Sequence, residues 1–155
     1  MRCGSYMNIL VINGPNLNLL GMREPQIYGS QTLNDIQNEL IGRYPEAHFT
    51  FFQSNHEGGI IDALQSTVGK DFHGIVINGG AFTHYSYAIR DAISMLMIPT
   101  VEVHISNILL REEFRRHSVT APVCVAQLTG FGSNGYSLAV EMLLYHKSSQ
   151  NKISE

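Results

Sequence analysis

Along this chain the apolar residues gather into five short runs: MNILVIN (7–13), HFTFFQS (48–54), GIVING (74–79), TVEVHIS (100–106) and APVCVAQ (121–127). Most are rich in Val, Ile or Phe and lack the alternation of a sheet with one wet face. That is how parallel strands covered on both sides read. Between the runs the period changes to that of a helix. In TLNDIQNELIGRY, Leu33, Ile36, Leu40, Ile41 and Tyr44 form one stripe, and Thr32 with Asp35 marks its start. In HEGGIIDALQSTVG the stripe is Ile60, Ile61, Leu64 and Val68, with Gly69 suited to the C′ position. In THYSYAIRDAISMLMIP it is Ala88, Ile89, Ala92, Ile93, Leu96 and Met97, ended by Pro99. A last helix fits NGYSLAVEMLLYH, and NILLREEFRRH (107–117) reads as a shorter helical turn or loop.

Strand and helix thus alternate five times. This predicts a doubly wound α/β domain, and the size favours a flavodoxin-like, five-stranded parallel sheet of order 2-1-3-4-5 with helices on both faces. The domain is expected over residues 7–146. Residues 1–6 read as an N-terminal extension, with Met7 an alternative start, and 147–155 as a polar, frayed C-terminal tail.

Composition narrows the function classes. At 155 residues the chain suits one domain, and 44% apolar with 15% charged residues is an ordinary globular balance. A net charge of -3 speaks against a nucleic-acid partner. No apolar run approaches the ~18 residues of a membrane span. MRCGSYMNIL shows no signal peptide. Cys3 and Cys124 form no metal or disulfide pattern; Cys124 reads as a buried structural thiol, and a cytoplasmic setting fits best.

In such a sheet, ligands bind beyond the carboxyl ends of the strands. The first run is followed there by NGPNLNLLGMREPQIYGSQT (13–32), too long and irregular for a simple connection. It offers Asn13, Asn16, Arg23 and Tyr28. The third run ends in Asn78 and leads to His84. On the fourth, Val101, Val103 and Ile105 point one way while Glu102, His104 and Ser106 point the other. Burying Glu102 and His104 costs several kcal/mol unless they are paired or solvated, which a cleft at the strand end provides.

Each residue also has a plainer reading: His104 as a satisfied structural histidine, His84 as a first-turn residue, Asn78 as a turn former, Tyr28 as loop packing. Arg111, Arg115 and Arg116 read either as a solvated face or as a clamp for an acidic substrate. The chain has no zinc-type spacing, nucleophile elbow, Walker loop or dinucleotide fingerprint, and no lysine at a strand end. Tyr, His, Arg and Asn remain, a set suited to proton transfer on an anionic, oxygen-rich small molecule.

NGPNLNLLGMREPQIYG, FFQSNHEGGIID, GIVINGGAFTHYSYAIRDAI, VEVHISN and REEFRRHS closely resemble type II 3-dehydroquinate dehydratases, from Met7 to about His146. The resemblance implies reversible loss of water from 3-dehydroquinate to 3-dehydroshikimate, without metal or organic cofactor, in a homododecamer built as a tetramer of trimers. It implies roles as well. Tyr28 is the base, and Arg23 sits on a mobile lid and favours the tyrosinate. Asn16 positions a water at the enolate oxygen. His104 is the acid, oriented by Glu102. Asn78, His84, Ile105, Ser106 and Arg115 bind substrate, Asp91 reaches a neighbouring subunit's site, and Arg111 lies nearby with a less defined role. The chain departs from the family at Gly79, often proline or alanine there, at Tyr85, commonly a smaller residue, and at 108–110. The competing readings are an FMN-binding or receiver module and a catalytically dead homologue. A receiver needs aspartates where Asn13 and Gly14 stand, and the dead homologue is disfavoured by a complete catalytic set.

Overall fold

Strands β1 (Met7–Asn13), β2 (Ala47–Gln53), β3 (Gly74–Asn78), β4 (Thr100–His104) and β5 (Ala126–Thr129) join in one sheet of order β2-β1-β3-β4-β5. Every neighbouring pair is parallel, as the apolar runs predict. The structure, a computed structural model, describes residues 6–22 and 24–153; Cys3, Arg23 and both chain ends lie outside the described residues.

The helices are α1 (Pro25–Tyr28), α2 (Leu33–Arg43), α3 (Glu57–Gln65), α4 (Tyr87–Ser94) and α5 (Asn134–Ile153). Alternation along each strand sorts the core into two clusters. Ile9, Val11, Val76, Val101 and Val103 meet Ile36 and Leu40 of α2 and Tyr136, Val140 and Leu143 of α5. Leu10, Ile12, Ile75 and Ile77 meet Ile60 and Leu64 of α3 and Ile89 and Ile93 of α4. Central β1, β3 and β4 are therefore covered on both faces. The edge strands β2 and β5 are only partly buried.

Element starts follow side-chain chemistry. The Thr32 hydroxyl accepts the Asp35 N–H at 3.2 Å, and the Asp35 carboxylate accepts the Thr32 N–H at 2.8 Å, a reciprocal cap for α2. The Thr32 N–H and hydroxyl, each 2.8 Å from Asp35 Oδ2, hold that carboxyl below the usual carboxylate range. The Ser86 hydroxyl accepts the Ile89 N–H at 3.0 Å and starts α4.

Several boundaries differ from expectation. Ile41, Val68 and Met97 are exposed by 53%, 63% and 99%, so none belongs to its predicted stripe. Helix α3 stops at Gln65; the next turn buries Thr67 instead of Val68, with the Thr67 hydroxyl donating to the Leu64 carbonyl at 2.7 Å. Gly69, at φ 72, serves that turn rather than the helix end. Helix α4 begins only at Tyr87, after a 3-10 turn over Gly80–His84, and ends well ahead of Pro99. The fifth run starts as a 3-10 turn, Ala121–Val123, because Pro122 has no N–H to give a ladder. The strand forms only from Ala126. At the other end, α5 runs through the segment read as a frayed tail to Ile153, and Lys147 Nζ donates to the Tyr6 carbonyl at 3.1 Å. Cys124 is half-buried beside the α3–α4 cluster, and burial, helped by the Glu102 charge, pushes its thiol up to about 12.

One glycine sets the site's frame. Gly14 N–H donates to the Asn78 carbonyl at 2.8 Å, and a Cβ on Gly14 would stand 2.4 Å from the Gly79 carbonyl oxygen. The chains leaving β1 and β3 are in backbone contact, which only glycine permits here.

Candidate active site

A cavity of about 110 Å³ opens at the carboxyl ends of β1, β3 and β4, where the sheet's topology predicts a ligand. Its lining includes Asn16, Tyr28, Asn78, His84, His104, Ile105, Ser106, Arg111 and Arg115. Pro15, Leu17, Leu20, Gly80, Ala81 and Ile108 complete the wall. Asp91 is exposed on α4 and does not line the cavity of its own chain, and Glu102 lies beneath it rather than on its surface. Arg23 lies outside the described residues.

Strand β4 builds the floor. Glu102 is fully buried, and His104 Nε2–H donates to its Oε1 at 2.6 Å. Ser118 donates to the same carboxylate at 2.8 Å, Thr120 at 2.5 Å and Gln127 at 3.0 Å. Burial works against the charge on Glu102, yet the bonds from His104, Thr120 and Ser118 outweigh it and hold the carboxyl below its usual range. With Nε2–H committed to Glu102, Nδ1 of His104 is the nitrogen left to exchange a proton.

His84 stacks on His104 with ring centroids 6.2 Å apart. Its Nδ1–H donates to the His117 carbonyl at 2.8 Å, which fixes the tautomer and leaves Nε2 unprotonated. Burial chiefly, with the His104 and Arg115 charges, holds the His84 imidazole below its ordinary value. Arg115 lines the cavity while its Nε donates to Glu112 at 2.8 Å; Arg116, exposed, does not line it.

The loop after β1 is more structured than its sequence implies. Leu17 and Leu20 sink into the α2–α5 core around a 3-10 turn, Leu17–Leu19. Asn16 holds a left-handed conformation, φ 68, with its N–H donating to Asn55 Oδ1 at 3.0 Å. Gln53 Nε2 bridges Asn55 Oδ1 and the Gly14 carbonyl, each at 3.2 Å. Tyr28 closes the one-turn helix α1. Arg111 Nη1 donates to the Tyr28 hydroxyl at 3.1 Å and to Ser106 Oγ at 3.2 Å, and its guanidinium lies 5.6 Å from the ring centroid. The bond to Tyr28 raises Arg111's own pKa.

A tyrosine beside a guanidinium thus faces the same cavity as a histidine anchored on a buried carboxylate, with a further cation, Arg115, on the rim. The description "Dehydroquinase class II" matches residues 7–144. The chain belongs to the class II dehydroquinase family.

Other members of this family stand close to the chain. The 3-dehydroquinate dehydratase of Pelodictyon phaeoclathratiforme is 55% identical over 141 residues, covering 90% of this chain and 93% of that one. The enzyme of the same name from Bacillus subtilis is 51% identical over 148 residues, covering 94% and 99%. The crystal structure of the type II dehydroquinase from Butyrivibrio crossotus superposes with TM-score 0.87 at 51% identity, covering 90% of this chain and 98% of that one.

Residue-by-residue reasoning along the sequence missed Ser118, Thr120 and Gln127 around Glu102, Asn55 at the loop root, and the contact of Arg111 with Tyr28. Gln127 stands opposite Glu102 in the β4–β5 register, but at an exposed edge-strand position it carries no signal in the sequence.

Proposed function

We propose that this class II dehydroquinase catalyses the reversible anti elimination of water from 3-dehydroquinate to 3-dehydroshikimate in the shikimate pathway, using side chains alone. Tyr28, as phenolate, takes the proton alpha to the ketone. The C–H electrons pass to the ketone oxygen as an enolate, and Asn16 holds a water against that charge. When the enolate collapses, the C–O bond breaks and the hydroxyl leaves with a proton from His104 Nδ1, as water. Arg115, Ser106, Asn78, His84 and the backbone at Ile105 hold the substrate.

Support comes from ordinary acid–base chemistry. A free tyrosine, with a pKa near ~10, is a weak base at neutral pH. A guanidinium on its oxygen stabilises negative charge placed there. Arg111 makes that contact, and Arg23 joins it in the proposed closed lid. A carboxylate behind an imidazole fixes which ring nitrogen is left to face the substrate, as a positioned general acid needs. The observation that carries the reading is that Tyr28 and His104 share one cavity, each with its own charged partner.

Twelve copies, as a tetramer of trimers, form the proposed assembly, with Asp91 completing a neighbour's site. Solution mass tests this; a monomer at working concentration contradicts it. For the reaction, purified protein is mixed with 3-dehydroquinate and the ultraviolet absorbance of the conjugated enone is followed. Steady growth with wild type and none with Tyr28→Phe is expected. A silent wild type, or a fully active Tyr28→Phe, overturns the proposal.

A further inference from the structure

We propose that Tyr136, which does not line the cavity, is a positioning residue that orients the Asn78 amide toward substrate; this rests on the dehydratase reading above. Tyr136 is the third residue of α5 and is fully buried under the ends of β1 and β3. Its hydroxyl donates to Asn13 Oδ1 at 2.5 Å and accepts from Asn78 Nδ2 at 3.0 Å. Asn78 Oδ1 in turn accepts the Gly80 N–H at 3.2 Å. Burial pushes the phenol up, so it stays protonated.

The logic is one of counting protons. A phenol has a single hydrogen, and Asn13 Oδ1 takes it. The lone pair that remains can only accept, so it must face an N–H of Asn78 and not its carbonyl oxygen. That choice turns Asn78 Oδ1 to Gly80, the first residue of the 3-10 turn that carries His84. It also leaves one Nδ2 hydrogen of Asn78, which lines the cavity, for a ligand oxygen. Asn13 and Asn78 are themselves buried, at 3% and 4% exposure, so water does not compete for these bonds. The β1–β3 register sets Asn13 opposite Asn78, and one phenol reaches both. Without it only the Gly80 N–H holds the amide, and the donor offered to substrate is less firmly aimed.

Tyr44 provides the control. Its buried hydroxyl shares its one hydrogen between two acceptors on α5, the Ser137 carbonyl at 3.0 Å and Glu141 Oε1 at 2.9 Å, and neither it nor those partners line the cavity. Tyr136→Phe and Tyr44→Phe each remove one buried hydroxyl. They are compared by steady-state kinetics on 3-dehydroquinate and by thermal unfolding. A structural loss lowers the concentration of active enzyme, and so kcat, with KM intact; a misoriented binding group raises KM. Tyr136→Phe is expected to raise KM about tenfold, the equivalent of one hydrogen bond to substrate, with Tyr44→Phe at wild-type KM. If Tyr136→Phe does not fold, Asn13→Ala carries the same expectation, since it frees the phenol's hydrogen to turn to Asn78 Oδ1. A wild-type KM in the folded variant overturns the inference. No turnover by wild type overturns the dehydratase reading instead.

Discussion

His104 and Tyr28 face one cavity, yet they are held in opposite ways. His104 stands on a central strand and rests on a fully buried carboxylate that buried Ser118 and Thr120 also grip, with Gln127 reaching it from an exposed position on the edge strand. Tyr28 ends a single helical turn in a long loop, and its hydroxyl is bonded to one guanidinium. A buried charge requires a closed set of donors, so the His104 side of the site is fixed when the sheet folds. The Tyr28 side depends on a few half-exposed contacts, the kind that can open to admit substrate. The difference places rigidity where a charge must be kept and compliance where a molecule must enter.

The largest effect is expected at Tyr28, the proposed base. Tyr28→Phe is expected to lose about 10²–10⁴-fold in kcat, the usual contribution of a general base, with unfolding unchanged because the hydroxyl has one exposed-side partner. Glu102→Gln strikes the other side and is expected to move both quantities. An amide presents its NH2 to groups that all donate to the wild-type carboxylate, costing about 1–3 kcal/mol in denaturant unfolding, and kcat falls as His104 loses its counter-charge. The pH dependence has a definite sign. The folded Glu102 pKa lies below its ordinary 4.5, so its contribution is complete above that value and fades as pH drops through the folded one. The stability gap between wild type and Glu102→Gln therefore narrows in acid.

Arg111→Lys sharpens the comparison without emptying the site. Lysine keeps the charge but cannot span Tyr28 and Ser106 from one planar group. A fall of about tenfold in kcat/KM is expected in steady-state assays. The smallest effect belongs to Thr32→Ala, at the loop's exit. It removes the α2 cap at about 1 kcal/mol, read in thermal unfolding, and leaves KM within error of wild type.

Much of this architecture was legible in the sequence because burial on two faces leaves apolar runs that name their own strands. The strand order and the polar side of β4 followed from those runs and from the two-residue period. Places where local pattern misled share a cause. Val68 and Met97 sit at helical spacing, but the helices stop first, at Gln65 and Ser94, and spacing carries no information about length. Pro122 lies inside an apolar run yet denies it a ladder. In the site, Tyr28, His104 and their neighbours were readable from the strand ends and from family blocks. The grip on Glu102 was not, since Ser118, Thr120 and Gln127 arrive from later segments and meet only in three dimensions. The resemblance assigned favouring of the tyrosinate to Arg23; Arg111 is the described guanidinium that touches Tyr28.

The enclosure around Glu102 also makes the protein its own reporter. Hydroxyl protons of serine and threonine ordinarily swap with water too quickly for magnetic resonance to register. Those of Ser118 and Thr120 point into a carboxylate that solvent does not reach, on residues 8% and 3% exposed. They should persist as sharp, far-downfield lines whose positions follow the charge behind His104, offering a label-free view of the proton inventory as ligands come and go.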